Sequence, residues 1–259
     1  MTPPVFLLPA PALDEIVAGD TVTVDGHEGR HAVSALRMTN GEPIVLVDGA
    51  GRRATGVVVA TEGRDVVSVQ VSSASVEPAS APRITVVQAL PKGERGELAV
   101  ELLTEIGVDV IVPWAARNCV AQWKGERAER GHRKWSDAAT AAAKQSRRAR
   151  FPEVAALHET AQVAELLAGA DVGVILHESA TESLAEITPP AEGNVVLVVG
   201  PEGGLTADEL ALFSSVGARV VLIGPTVLRT SSAGMAAVAA LLTRTSRWTA
   251  GTGAAEMEG

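Results

Sequence analysis

Two glycine-proline corners in the last quarter of the chain carry the residue types best suited to gripping a polar ligand with main-chain groups. The first follows Asn194 to Gly200 (Asn-Val-Val-Leu-Val-Val-Gly), a β-branched run ending in glycine that reads as a strand covered on both faces. Pro201, Glu202, Gly203 and Gly204 come next. Adjacent glycines remove the Cβ atoms that hold a ligand off the backbone, so N–H groups are free to bond it and a side chain at Gly203 would enter the ligand's space. Thr206 to Glu209 (Thr-Ala-Asp-Glu) fits a capping box, which starts a helix where the loop ends. The pattern then repeats: Ala218 to Gly224 is a second such strand, Pro225 follows it, and Thr226 to Ser232 leads into a small-residue helix from Ala233 to Leu242. Side by side, the two strand ends form one pocket. A third strand, Asp171 to His177, ends on a histidine followed by Glu178. His177 alone is more often a core or turn residue; it becomes a site residue if its strand end lies beside Gly200 and Gly224.

Other nucleotide-binding chemistries have no motif here. No Gly-x-Gly-x-x-Gly follows a strand, and no Gly-Lys-Ser/Thr phosphate loop occurs. A strand, a glycine pair and a capped helix occur in many α/β domains, so the full wording of both corners is what discriminates. Gly200-Pro-Glu-Gly-Gly-Leu-Thr and then Ile223-Gly-Pro-Thr-Val-Leu-Arg-Thr together resemble the SPOUT class of S-adenosylmethionine-dependent RNA methyltransferases, and within it the RsmE family, which methylates N3 of a uridine in 16S ribosomal RNA. Pro91-Lys-Gly, Glu105-Ile-Gly-Val-Asp, Lys134-Trp135 and Ala143-Lys-Gln-Ser-Arg147 fall in that family's order, and the likeness runs from about Glu28 to Leu242.

The resemblance implies a trefoil-knotted parallel sheet with helices on both faces, preceded by a small PUA-like β-barrel that binds RNA. It implies that Leu176, His177, the loop Gly200, Pro201, Glu202, Gly203, Gly204, and the stretch Leu222, Ile223, Gly224, Pro225, Val227, Leu228 wrap a bent S-adenosylmethionine. Methyl transfer from a sulfonium is an in-line displacement that needs alignment and a free lone pair. Uracil N3 carries a weakly acidic proton, so a base or a cation must assist its loss. Arg229 is the candidate cation; Glu202 is either the base or a cap for backbone N–H groups. A homodimer formed around the knot is implied, with 16S rRNA or the small subunit as partner, and no metal. Ribose 2′-O-methylation by the same fold, or a non-catalytic RNA-binding role in ribosome assembly, are the rival activities.

Composition bounds the rest. With 46% hydrophobic and 20% charged residues over 259 positions, the chain describes an ordinary soluble protein of one large or two modest domains. Tyrosine is absent and aromatics make up 3%, so stacking on aromatic platforms cannot be the main mode of nucleic-acid binding. A single cysteine, Cys119, excludes an internal disulfide and reads as a small buried residue. No apolar run has bilayer length and the start lacks a basic signal region, so a cytoplasmic protein is expected. The net charge of −9 argues against indiscriminate RNA binding. From Lys124 to Arg150, however, nine Lys or Arg stand against three acids, so that segment is +6 and the remainder −15.

The elements that must position these residues fall into two domains. Residues 1–72 read as a β-barrel of four strands with one helix, Glu28 to Arg37; residues 73–82, rich in Ser, Ala and Pro, read as a linker. Residues 83–248 alternate strand and helix, as a parallel βαβ sheet does, and 249–259 read as a flexible tail. Candidate RNA contacts are Arg30, His31 and Arg37 in the first domain, and Lys92, Arg95 and Arg117 at strand ends of the second. On a helix from about Arg127 to Arg148, Lys144, Arg147 and Arg148 sit one turn apart for successive phosphates, while Gln145 and Ser146 are placed to touch bases.

Overall fold

The computed structural model describes residues 2–93 and 95–249, which divide into two compact units. In the first, β1 (Val5–Leu7), β2 (Thr21–Val24), α1 (Gly26–Arg30), β3 (Pro43–Val47), β4 (Arg52–Glu62) and β5 (Val66–Val76) build a five-stranded sheet in the order β1-β3-β4-β5-β2. The last turn of the helix, His31–Ala35, widens to π geometry before Arg37 turns into the left-handed region at φ +56°. Phe6 on one edge strand and Val22 and Val24 on the other share one core with Ile44, Leu46, Val58, Val67 and Val69, and Ala32 of the helical turn closes it. The sheet is therefore barrel-like, with both edges curling over the same apolar filling. Sequence pattern missed β1, because three residues between prolines are too few to show alternation; it pairs parallel to β3.

The second unit holds β6 (Arg83–Ala89), α2 (Arg95–Ile106), β7 (Val110–Trp114), α3 (Glu126–Gln145), β8 (Glu153–Val154), α4 (Thr160–Ala168), β9 (Val172–Leu176), β10 (Glu182–Ser183), β11 (Asn194–Val199), α5 (Ala207–Ser215), β12 (Arg219–Leu222), α6 (Thr230–Leu242) and α7 (Ser246–Thr249). Its seven strands are all parallel in the order β10-β12-β9-β11-β6-β7-β8. Strand side chains alternate between two cores, as the period of two requires. Val195, Leu197 and Val199 of β11 face α2, α3 and α6, while Val196 and Val198 face α4 and α5. Helices thus cover both faces, which explains the apolar runs of β9 and β11 and the burial of β6 from Ile84 to Ala89. Strand β11 lies between β9 and β6, with Val199 level with Leu176 on one side and Gln88 on the other; Val221 of β12 is level with Leu176 from beyond β9.

Several expected boundaries move. The stretch expected as linker is strand through Val76, because Arg52 to Thr55 offer it a main-chain partner; its side chains are exposed, so no apolar alternation marks it. Helix α3 ends at Gln145, and Arg147 takes φ +59°, so Arg147 and Arg148 do not continue its face. Ala143–Phe151 also group with the first unit, through contacts such as Arg53 Nη2 to the Arg147 carbonyl at 2.7 Å. Helix α6 begins at Thr230, three residues before the expected start. Of the expected tail, Thr249 closes α7 and residues 250–259 lie outside the described residues.

Within α7, Arg247 ties the helix to the sheet. Its Nη1 meets Asp109 Oδ2 at 2.7 Å and the Pro82 carbonyl at 3.0 Å, with 11% of the side chain exposed, and Asp109 Oδ2 also accepts the Ile84 N–H at 2.8 Å. Arg247→Ala leaves that carboxylate without its counter-charge and is expected to cost about 3 kcal/mol. Urea unfolding followed by far-UV dichroism checks it; an unmoved midpoint would show the clamp is dispensable.

Candidate functional site

Because β9, β11 and β12 are parallel neighbours, their carboxyl ends open on one edge, where α/β sheets bind ligands. There a cavity of about 480 Å³ is walled by the ends of all three strands: Leu176, His177 and Glu178; Val199 to Leu205; and Val221 to Thr230, with Ala233 and Arg95. Every residue expected to wrap a cofactor lines it, and the two proline corners face each other across the end of β9. Val199, Val221, Glu178, Leu205, Thr226, Thr230 and Ala233 join them without having been singled out by sequence; as flanks of the named residues they carried no separate signal.

The first loop is held from behind. Gly204 sits at φ +71° and its N–H donates to the Pro201 carbonyl at 2.9 Å, closing a tight turn. The Asn118 side-chain amide donates to the carbonyls of Gly203 and Gly204 at 3.2 and 3.1 Å. The capping box forms as expected: the Glu209 N–H donates to Thr206 Oγ1, and Glu209 Oε2 accepts from the Thr206 N–H at 2.8 Å. Glu209 is 4% exposed, and its other oxygen accepts the Arg117 N–H at 2.9 Å, so one carboxylate fastens the loop's exit to the loop after β7. Neither this second bond nor Asn118 was visible in sequence, because both partners come from about ninety residues upstream. Gly203 proves to be a packing glycine. A Cβ there would lie 3.0 Å from Asn118 Cβ and 3.1 Å from its carbonyl, so a side chain would push against the supporting loop and not into the ligand's space.

The second corner is the opposite case. Among the described residues, no main-chain N–H or C=O from Ile223 to Leu228 bonds another protein group. Polar main chain left unpaired along a cavity wall suits a ligand that exchanges hydrogen bonds with it, as a nucleoside edge does. A Cβ at Gly224 meets nothing within 4 Å. The first turn of α6 opens on the same cavity through Thr230 and Ala233, bringing free N–H groups and the positive end of the helix dipole. Arg229 precedes it, exposed and with no ion-pair partner among the described residues. Glu202, in contrast, is occupied: its Oε1 accepts the Lys92 N–H at 3.3 Å and lies 3.5 Å from Arg95 Nη1. One oxygen of the carboxylate therefore caps a backbone N–H of another loop. His177 Nδ1 accepts the Ser179 N–H at 3.2 Å, which turns the ring's other nitrogen, Nε2, away from that bond. The cavity volume, the unpaired wall and the helix terminus together fit S-adenosylmethionine.

The expected RNA contacts divide. Arg30, His31 and Arg37 are exposed at the end of the first unit's helix, and Gln145 and Arg147 are exposed after it in the same unit. Lys144 is not available. Its Nζ lies 2.7 Å from both Glu28 oxygens and 5.7 Å from the Phe6 ring centroid, with 19% of the side chain exposed. Ser146 is half-buried, and Arg148 turns back to donate from Nε to the Arg150 carbonyl at 2.8 Å. In the second unit Lys92, Arg95 and Arg117 are exposed, Arg95 on the cavity wall and Arg117 bonded through its main chain only. Among the described residues no group of three or more His, Cys, Asp or Glu could hold a metal, and no helix is long and apolar enough to cross a membrane.

A seven-stranded parallel sheet with a ligand cavity at the carboxyl ends of β9, β11 and β12, in a chain whose earlier residues form a PUA-like unit, is the architecture of the trefoil-knotted SPOUT RNA methyltransferases. An RNA methyltransferase domain family matches residues 78–242, and an RNA methyltransferase PUA domain family matches residues 24–71. The chain is 46% identical to the ribosomal RNA small subunit methyltransferase E of Mycobacterium tuberculosis over 237 residues, 90% of either protein. It is 27% identical to that of Bacillus subtilis, over 88% of this chain and 91% of the relative. The crystal structure of a ribosomal RNA small subunit methyltransferase E from Neisseria gonorrhoeae, bound to S-adenosylmethionine, superposes with a TM-score of 0.80 at 27% identity, covering 93% of this chain and 98% of that one. The chain belongs to the ribosomal RNA small subunit methyltransferase E (RsmE) family.

Two outcomes follow from the geometry. Gly224→Val places a side chain in open space at the cavity wall, so S-adenosylmethionine affinity by calorimetry should fall by about tenfold or more while the thermal midpoint stays near wild type; undiminished affinity would remove the second corner from the site. Cys119, expected as a small buried residue, is half-buried. Burial pushes its pKa up to about 11, with Glu209 and Glu202 adding to the rise. Only the thiolate is nucleophilic, so alkylation at pH 8 should run at least about a hundredfold slower than for a free cysteine and accelerate about tenfold per pH unit towards 11. A rate at pH 8 near that of the unfolded chain would contradict the burial.

Proposed function

We propose that this chain transfers the methyl group of S-adenosylmethionine to N3 of a uracil in 16S ribosomal RNA. The observation that carries the reading is the pairing, on one cavity wall, of the unbonded main chain from Ile223 to Leu228 with the unpartnered guanidinium of Arg229. When bound, the sulfonium donor supplies an activated methyl group. The protein's part is to bind, orient and manage one proton. The rigid corners fix the donor's adenine edge, so that the methyl group points to one place and the displacement is in line. Arg229, at the cavity rim and free to approach, stabilises the anion that forms as uracil N3 loses its proton. The positive end of α6 adds to the same field. Glu202, engaged by Lys92 and Arg95, holds the loop beside the reacting base and keeps Arg95 at the rim, so the proton passes to solvent.

RNA is held in this reading by the exposed cations Arg30, Arg37 and Arg147 of the PUA-like unit and by Lys92, Arg95 and Arg117 of the other, while the acidic remainder of the surface repels non-cognate RNA. We assign the protein to the cytoplasm and to a homodimer. Val227, 76% exposed, and Leu228 next to it are apolar residues on the cavity rim whose cover a second copy would provide.

Nucleoside analysis of 16S ribosomal RNA from a strain lacking the gene tests the reaction. Loss of 3-methyluridine, restored by the wild-type gene, is the expected result; loss of a 2′-O-methyl nucleoside would replace the uracil reading with ribose methylation, and no loss would sink both. Arg229→Ala should not restore the mark: its turnover is expected to fall by about a hundredfold or more, with S-adenosylmethionine affinity within about twofold.

A further inference from the structure

A second cavity, also about 480 Å³, lies on the other side of the loop that follows β6, between that loop and the first half of α3. We infer that it is a pocket for an unpaired nucleotide of the RNA substrate close to the target base. The inference rests on the proposed RNA methylation. Its floor is aromatic in a chain with only four tryptophans, three phenylalanines and no tyrosine. Trp123 and Trp135 meet edge to face, with centroids 5.1 Å apart and planes at 75°. Trp135 is buried and anchors the pair; Trp123 is half-buried and presents the remaining ring surface.

Space for the two indoles has been made by glycine. A Cβ on Gly96 would come within 2.7 Å of Trp135 Nε1, and one on Gly131 would run into the Trp123 ring. Three cations stand at the rim on successive turns of α3: Arg127, Arg130 and Lys134, against one acid, Glu97, 3.7 Å from Lys134 Nζ. Arg127 and Arg130 have no carboxylate partner among the described residues. A flat hydrophobic face below, two open guanidinium groups above and the exposed amide of Gln122 at the side match base, phosphate and base edge in turn.

Placement makes the target's neighbour the fitting occupant. Gly93 lines this cavity and Arg95 lines the donor cavity, so the two walls are no more than about 7 Å apart along the chain, the scale of one nucleotide step. A base held here would fix the register of the RNA strand that delivers the uracil. It also gives the amino-terminal half of the basic helix a role that Lys144, bonded to Glu28, cannot have.

The test uses the full chain and an unpaired decaribonucleotide as probe. Wild-type tryptophan emission should be quenched on titration, the quench should vanish in Trp123→Leu, and the double variant Arg127→Ala/Arg130→Ala, altered only at exposed positions, should bind at least about fivefold more weakly with S-adenosylmethionine affinity unchanged. Persistent quenching in Trp123→Leu, or equal affinity in the double variant, would overturn the pocket, as would equally tight binding of uridine monophosphate, which would assign it to free nucleotides. Methylation assays separate the two readings. Wild-type protein that binds the probe through Trp123 yet methylates no ribosomal RNA would sink the activity and leave the pocket, whereas undiminished methylation at sub-saturating RNA by both variants would sink the pocket and leave the activity.

Discussion

Everything about the donor site depends on one piece of pairing: β9 lies between β11 and β12, parallel to both, with Leu176 level with Val199 and Val221. Parallel ladders put all carboxyl ends on one edge, so the three segments leaving those strands must converge. Two of them begin with a glycine-proline corner and the third with His177. Had either outer strand run antiparallel, its corner would have opened on the far edge of the sheet and no cavity could form.

Convergence brings the loops together; one buried carboxylate, Glu209, and the exposed side chains of Asn118 and Glu202 hold them there. Glu209 bonds the Arg117 and Thr206 main chains, Asn118 takes the carbonyls of Gly203 and Gly204, and Glu202 takes the Lys92 N–H. Each fixes one loop against another, so the first corner is rigid before any ligand arrives. The second corner lacks such ties from Ile223 to Leu228, and its polar groups remain for the ligand. Fixing one wall while leaving the other's hydrogen bonds open lowers the ordering cost of binding without using up the recognition groups. The same economy of charge operates on the surface. Glu28 neutralises Lys144 inside the first unit, while Arg229, Arg127 and Arg130 form no ion pair among the described residues. A net charge of −9 is thus compatible with RNA recognition, because the segment from Lys124 to Arg150 is +6 while the remainder is −15.

Much of this was legible in one dimension. Short runs rich in β-branched residues located β6, β9 and β11, and the Thr-x-x-Glu signature placed the start of α5 at the observed residue. Local chemistry failed where the partner is remote. Strand β1 is too short to show alternation, and the polar end of β5 is strand only because Arg52 to Thr55 pair with it. Lys144 read as a free cation because Glu28, 116 positions earlier, cannot be seen as its neighbour from a helix pattern. Gly203 read as a ligand-facing glycine, whereas its missing Cβ makes room for Asn118.

By itself the sequence determined the elements, the two glycine-proline corners and the family, because each is written in contiguous residues whose periodicity, turn chemistry or wording is local. Only the tertiary structure decided which polar groups are occupied and which are free: that Glu202 and Lys144 are engaged, that Arg229 and the main chain from Ile223 to Leu228 are not, and that two tryptophans meet over a second cavity. The physical reason is that hydrogen bonds, ion pairs and ring contacts depend on distance in space, and those that matter here join residues from twelve to more than a hundred positions apart.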